Sequence, residues 1–133
     1  MNAVFADTSL LVAFVSERDE HHTAAAEFIR SFEGRIVTTD WVLLELGNYL
    51  AKTKHRSSFL PFLKQLQDDD RFRIVSATHD LFMEGAELYA QRSDKDWSLT
   101  DCVSFVVMGR EGIRQAMTAD HHFEQAGFTI LLK

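Results

Sequence analysis

The chain has 133 residues, 46% of them hydrophobic and 26% charged, with a formal net charge of −6. That length sustains a hydrophobic core without staples, its one cysteine, Cys102, excludes an internal disulfide, and no basic leader or apolar run of ~18 residues argues for export or a membrane span, so the expectation is a cytoplasmic protein. The acidic balance lacks the basic footprint of most nucleic-acid binders, although a cluster of acids gathered around a cation would distort that sum.

In chain order, Asn2 is followed by four small or apolar residues, 3–6, that run directly into Asp7, Thr8 and Ser9. This reads as a buried strand ending in an acid, followed by a short apolar helix over residues 10–15 that Asp7, Thr8 or Ser9 caps. A helix over residues 23–32 follows and Gly34 closes it; residues 35–38 form a short strand, and Thr39 or Asp40 caps a strong helix from Trp41 to about Thr53. Within that helix Val42, Leu43, Leu46, Tyr49 and Leu50 have the spacing of a buried stripe. A serine-capped helix over residues 57–67 carries Pro61 in its first turn, where proline is tolerated. The acidic run 68–70 is a solvated turn, residues 72–75 alternate as a strand, and Thr78 or His79 opens a helix to about Arg92. An apolar helix over residues 99–109, a strand over 115–118, a helical turn over 121–125 and a last strand over 128–131 complete the pattern. With a single proline and no linker or repeat, the chain reads as one domain over residues 1–133. Strands alternating with helices predict an α/β fold of three layers around a mostly parallel sheet.

Four acids stand where such a fold puts chemistry. Asp7 ends the first strand, yet an aspartate before an apolar helix is equally a plain N-cap. Glu45 is flanked by Leu44 and Leu46 and borders the buried stripe, where a charge is seldom found unless paired or bound to metal; a glutamate reaching out to solvent is the alternative. Asp101 follows Ser98 in a Ser-x-x-acid pattern, which is itself a capping signature. Asp120 follows the fourth strand and could cap the next turn. None decides the matter alone. Together, at strand ends, a helix start and a helix edge, they are positions that a parallel sheet can bring to one edge. Gathered carboxylates repel unless a cation compensates, and an all-oxygen set suits Mg²⁺ or Mn²⁺, ions that clamp phosphates and activate water.

Ala6-Asp7-Thr8-Ser9, the helix-borne Glu45, Ser98-Leu99-Thr100-Asp101-Cys102 and the stretch from Thr118 to Phe128 resemble the PIN-domain ribonucleases, and the last stretch resembles VapC-type toxins and their stand-alone bacterial relatives. The motifs span nearly the whole chain. The resemblance implies an α/β/α fold with a five-stranded sheet, Mg²⁺- or Mn²⁺-dependent cleavage of single-stranded RNA, and a homodimer neutralised by a small antitoxin. It implies that Asp7, Glu45, Asp101 and Asp120 form the metal-binding and catalytic site, with Thr8, Ser9 and Ser98 in support. Asp96 is left out as a solvated loop acid. A non-catalytic PIN-like module that binds RNA or protein, and an RNA-processing nuclease without an antitoxin, are the alternatives.

Lys52, Lys54 and Arg56 cluster where the Glu45 helix ends and are candidate RNA contacts, against the plainer reading of cations at a helix C-terminus. If the helix continues to Thr53, Lys52 is two turns from Glu45 on the same side. The pairs His21-His22 and His121-His122 lack the spacing of a zinc site, and Cys102 reads as core.

Overall fold

The computed structural model describes residues 2–132. Five strands form one wholly parallel sheet in the order β3-β2-β1-β4-β5: β1 (Ala3–Ala6), β2 (Arg35–Thr39), β3 (Phe72–Val75), β4 (Gln115–Met117) and β5 (Thr129–Ile130). Seven helices connect them among the described residues: α1 (Thr8–Val15), α2 (His22–Ser31), α3 (Asp40–Leu50), α4 (Phe59–Asp68), α5 (His79–Gln91), α6 (Leu99–Glu111) and α7 (His122–Gln125). The α/β fold expected from the alternation of elements is the one found.

The chain leaves β1 for β2 and then β3 on one side, and returns past β1 to β4 and β5 on the other. Right-handed crossovers in opposite directions put the two sets of helices on opposite faces. The packing agrees: α1 meets α2 and α3, while α6 meets α5 and α7. Central β1 is covered on both faces, so Val4, Phe5 and Ala6 are all fully buried, and so are Ile36 and Val37 beside them in β2. Because the order reverses between β1 and β4, the carboxyl ends of these neighbours form the switch point, where open α/β sheets leave a crevice.

Several local features place the edge of that crevice. Thr38 in β2 donates a buried hydrogen bond of 2.9 Å to the carbonyl of Ala6, next to Asp7. Thr39, rather than Asp40, caps α3 by accepting from the Val42 amide at 3.1 Å. Trp97, 5% exposed, donates to Gln125 Oε1 at 2.9 Å and packs edge-on against Phe105, which packs edge-on against Phe123. That aromatic stack ties the start of α6 to α7.

Tyr49 is 57% exposed rather than part of the buried stripe of α3, whose other members are buried, and three further expectations need correction. Gly34 does not serve mainly to stop a helix, for α2 has already ended at Ser31; a Cβ there would collide with the Asn2 carbonyl, where β2 begins against β1. No serine side chain caps α4, which continues instead from a 3₁₀ turn, Arg56–Ser58. The helix carrying Glu45 ends at Leu50 rather than Thr53. The periodicity counted to Lys52 therefore does not apply, and no helical face relates that lysine to Glu45.

A candidate metal centre at the switch point

The carboxyl ends of β1 and β4, the start of α6 and one side of α3 enclose a cleft of about 530 Å³. Its lining includes six carboxylates, Asp7, Asp19, Glu45, Asp96, Asp101 and Asp120, together with His21 and His122, and neither a lysine nor an arginine. All four acids singled out in the sequence thus face one space. Asp96 is exposed and lines it too, and Asp19 joins from the α1–α2 connection.

Asp7 occupies the N-cap position of α1, but its side chain makes no capping bond. It is 6% exposed, and its Oδ2 accepts a hydrogen bond of 2.9 Å from the Thr118 hydroxyl. Burial pushes its pKa up to about 7 from 3.8; the Thr8 backbone N–H and the Thr118 hydroxyl pull the other way, while the charges of Asp101 and Asp120 add to the rise. This carboxylate is held where its own negative charge is costly.

Thr118, fully buried, was not foreseen as a site residue. Its single hydroxyl hydrogen goes to Asp7, so its lone pairs accept from Ser9 Oγ at 2.9 Å and from the Asp120 amide at 3.0 Å. Ser9 Oγ in turn accepts from the Ala119 amide at 3.3 Å. One threonine at the end of β4 thereby fixes an acid after β1, the first turn of α1 and the loop bearing Asp120. A hydroxyl at the end of a strand reads as ordinary turn chemistry, and only its place two residues before Asp120 hints at more.

Asp101 has the capping role that Asp7 lacks. Its amide donates to Ser98 Oγ at 3.0 Å and its Oδ2 accepts from the Ser98 amide at 3.1 Å, a complete capping box. It is nevertheless 8% exposed and lines the cleft, and burial raises its pKa, helped by Asp120 and opposed by Ser98 and His122. His122 Nδ1 lies 3.1 Å from Asp101 Oδ2 and 3.3 Å from Asp120 Oδ1. Both neighbours are acceptors, so this nitrogen carries the hydrogen. Asp120 Oδ1 also accepts from the His122 amide at 2.9 Å, in the local turn expected of it. Across the cleft, half-buried Glu45 accepts at Oε1 from the Thr8 hydroxyl at 2.5 Å.

A common pattern links the four acids. One oxygen of each is fixed by a protein donor: Asp7 Oδ2, Glu45 Oε1, Asp101 Oδ2 and Asp120 Oδ1. The second oxygen of each is engaged by no side chain among the described residues. Orienting one oxygen and leaving its partner open is what outer-shell hydrogen bonds do around metal-binding carboxylates. Asp120, His121 and His122, consecutive in the chain, also bring one ligand atom each within 4.8 Å of one another, so ring nitrogens border the oxygen set.

The basic candidates divide. Arg56 Nη1 donates to the Ala51 carbonyl at 2.9 Å just past α3, in keeping with a cation at a helix C-terminus. Lys52 is exposed and lines neither the cleft nor the groove beside it, whereas Lys54 lines that groove. Cys102 is fully buried in the core, as expected, and burial pushes its thiol up. No helix of the described residues is long and apolar enough to cross a membrane.

Known proteins share both sequence and architecture with this chain. Over 126 residues, 94% of the chain and 95% of the relative, it is 29% identical to the 23S rRNA-specific endonuclease VapC20 of Mycobacterium tuberculosis, in two strains of that organism. The crystal structure of VapC20, described as a Sarcin-Ricin loop cleaving toxin, superposes with a TM-score of 0.85 at 25% identity over 95% of this chain and 96% of that one. FitAcB from Neisseria gonorrhoeae shares the fold with a TM-score of 0.68 at 14% identity, covering 96% of each chain. VapBC2 from Rickettsia felis, bound to a DNA fragment, shares it with a TM-score of 0.68 at 13% identity, covering 98% of each. The PIN domain family model matches residues 4–129, and the chain belongs to the PIN domain family.

Proposed function

We propose that the chain is a metal-dependent endoribonuclease of the VapC type, cutting single-stranded RNA at the switch-point cleft. The observation that carries this reading is the set of four carboxylates, each with one oxygen fixed and the other met by no side chain among the described residues, in a cleft lined by no lysine or arginine. That donor set fits a hard divalent ion, Mg²⁺ or Mn²⁺. The ion would supply Lewis-acid polarisation of the phosphate and lower the pKa of a water it holds.

Asp7, Asp101 and Asp120 are the proposed ligands, directly or through water. Thr118 holds Asp7 in place, and the Ser98 capping box with His122 fixes Asp101. Glu45, on the wall formed by α3 and oriented by Thr8, would help hold the ion or act as the base that orients the attacking water. Ser9 supports the arrangement through Thr118.

The substrate class follows the relative named for 23S rRNA, which makes a single-stranded loop of ribosomal RNA the first target to test. A small antitoxin partner, a homodimer and a cytoplasmic location are proposed with it, on the VapC-type resemblance. Purified protein should cleave such RNA with Mn²⁺ and stop when EDTA is added. Asp7→Asn and Asp101→Asn should each abolish cleavage while preserving the fold by circular dichroism. Full activity in both variants would exclude this site. Calorimetric titration with Mn²⁺ separates the nuclease from a non-catalytic PIN-like module, which should show little specific binding.

A further inference from the structure

We propose that Tyr49 is a stacking platform for an RNA base, and that the groove beyond it carries the strand away from the cleft. This rests on the ribonuclease reading of the cleft. Helical periodicity puts Tyr49 in the buried stripe with Val42, Leu43, Leu46 and Leu50, and those four are buried, yet Tyr49 is 57% exposed. It follows Glu45 by four residues, one turn along the same side of α3. Its ring borders the acidic cleft and also a second groove of about 480 Å³, between the α1–α2 connection and the end of α3. The two spaces meet at this side chain.

Charge changes across the ring. On the cleft side there are six carboxylates and no lysine or arginine; the groove beyond contains Arg18, Lys54 and His55 with a single acid, Glu17. Elsewhere Arg30, Arg71, Arg73, Arg92 and Arg110 are bound into salt bridges. Arg18 and Lys54, like six other lysines and arginines, are in none among the described residues, and of these eight they alone line the groove. On a chain of net charge −6 these are cations without a carboxylate partner, beside a cleft whose acids repel phosphate. Affinity for the strand has to come from outside the acids, and an aromatic face next to backbone-binding cations is how single strands are held without sequence preference.

The test is anisotropy of a fluorescein-labelled single-stranded oligouridylate with the full chain in EDTA, where cleavage is silent. Tyr49→Leu should weaken binding about tenfold and Tyr49→Phe should leave it unchanged, since stacking needs the ring and not the hydroxyl. Arg18→Ala and Lys54→Ala should each weaken it severalfold and reduce the salt slope by about 0.7. Normal binding by Tyr49→Leu overturns the proposal, as does equal loss in Tyr49→Phe or no binding by the wild type. So does a Tyr49→Leu variant that binds RNA normally but changes oligomeric state, which would assign the ring to a protein contact. Binding through Tyr49 without Mn²⁺-dependent cleavage would sink the nuclease reading alone; cleavage with RNA binding unaffected by Tyr49→Leu would sink this one alone.

Discussion

Replacing Asp7 by asparagine should stabilise the metal-free protein, and more so as the pH rises. Asn fills the same volume and its Oδ1 can still accept from Thr118, so little packing changes. What disappears is a carboxylate that burial has moved from 3.8 to about 7. An acid whose pKa is raised by folding binds its proton more tightly in the folded than in the unfolded chain. Stability therefore falls as the pH climbs from about 4 to about 7 and changes little from this group beyond. Measured from the fully protonated state, the cost is roughly 1–2 kcal/mol at pH 5 and about 4 kcal/mol at pH 8. The advantage of Asp7→Asn should accordingly grow by about 2–3 kcal/mol between these two pH values. Urea denaturation of both proteins in EDTA at pH 5 and pH 8 measures it. Saturating Mn²⁺ at pH 8 should reverse the order, because an ion that binds only the folded wild type stabilises it by mass action. A variant no more stable than wild type at pH 8, or with an advantage independent of pH, would refute the idea that uncompensated burial of this acid strains the site.

Thr118→Val should cost about 1–3 kcal/mol in urea and weaken Mn²⁺ binding by roughly tenfold or more in calorimetry, since it removes the donor to Asp7 and the acceptor for Ser9 and the Asp120 amide; Thr118→Ser should restore most of both. Ser98→Ala breaks the capping box of α6 and should lower stability by about 1 kcal/mol in the same denaturation assay. Gly85→Ala would drive a methyl into Val103 where α5 crosses α6, at a cost of roughly 1–3 kcal/mol; pairing it with Val103→Ala in a double-mutant cycle should recover only part, because the Val103 backbone is also within 3.2 Å of that methyl.

Four acids of the cleft were legible, Asp7, Asp101 and Asp120 because each sits at an element boundary that the sequence marks and Glu45 because it borders an apolar stripe inside α3. Asp19 and Asp96 reach the same space from loops, which no periodicity places. The capping pattern, in contrast, had two outcomes. At Asp7 it is empty, and the carboxylate turns to Thr118; at Asp101 it is filled, and the residue still lines the cleft. Local pattern shows that an aspartate can cap, but what else competes for its oxygens depends on residues far along the chain. Thr118 lies 111 positions from Asp7, and no periodicity joins them. Tyr49 was misplaced for a related reason: helical spacing identifies the face it shares with Leu46 and Leu50, not how far the neighbouring elements extend to cover it. The end of α3 was overrun because residues 51–53 contain neither a glycine nor a proline to announce it.

The position of β4 has a consequence for the time at which the cleft comes into being. Its strand neighbours are β1, from the start of the chain, and β5, from the end. A nascent chain extended through α6 already contains Asp7, Glu45 and Asp101, but it lacks the second of the two strands that pair with β1, the threonine that holds Asp7 and the loop carrying Asp120. Contacts between such distant segments form only after loop closure, so the two halves of the site meet late in folding. A growing chain therefore carries no complete acidic cleft until residues 115–120 have been made and have found β1, so whatever the cleft does is withheld while every element before β4 is being synthesised.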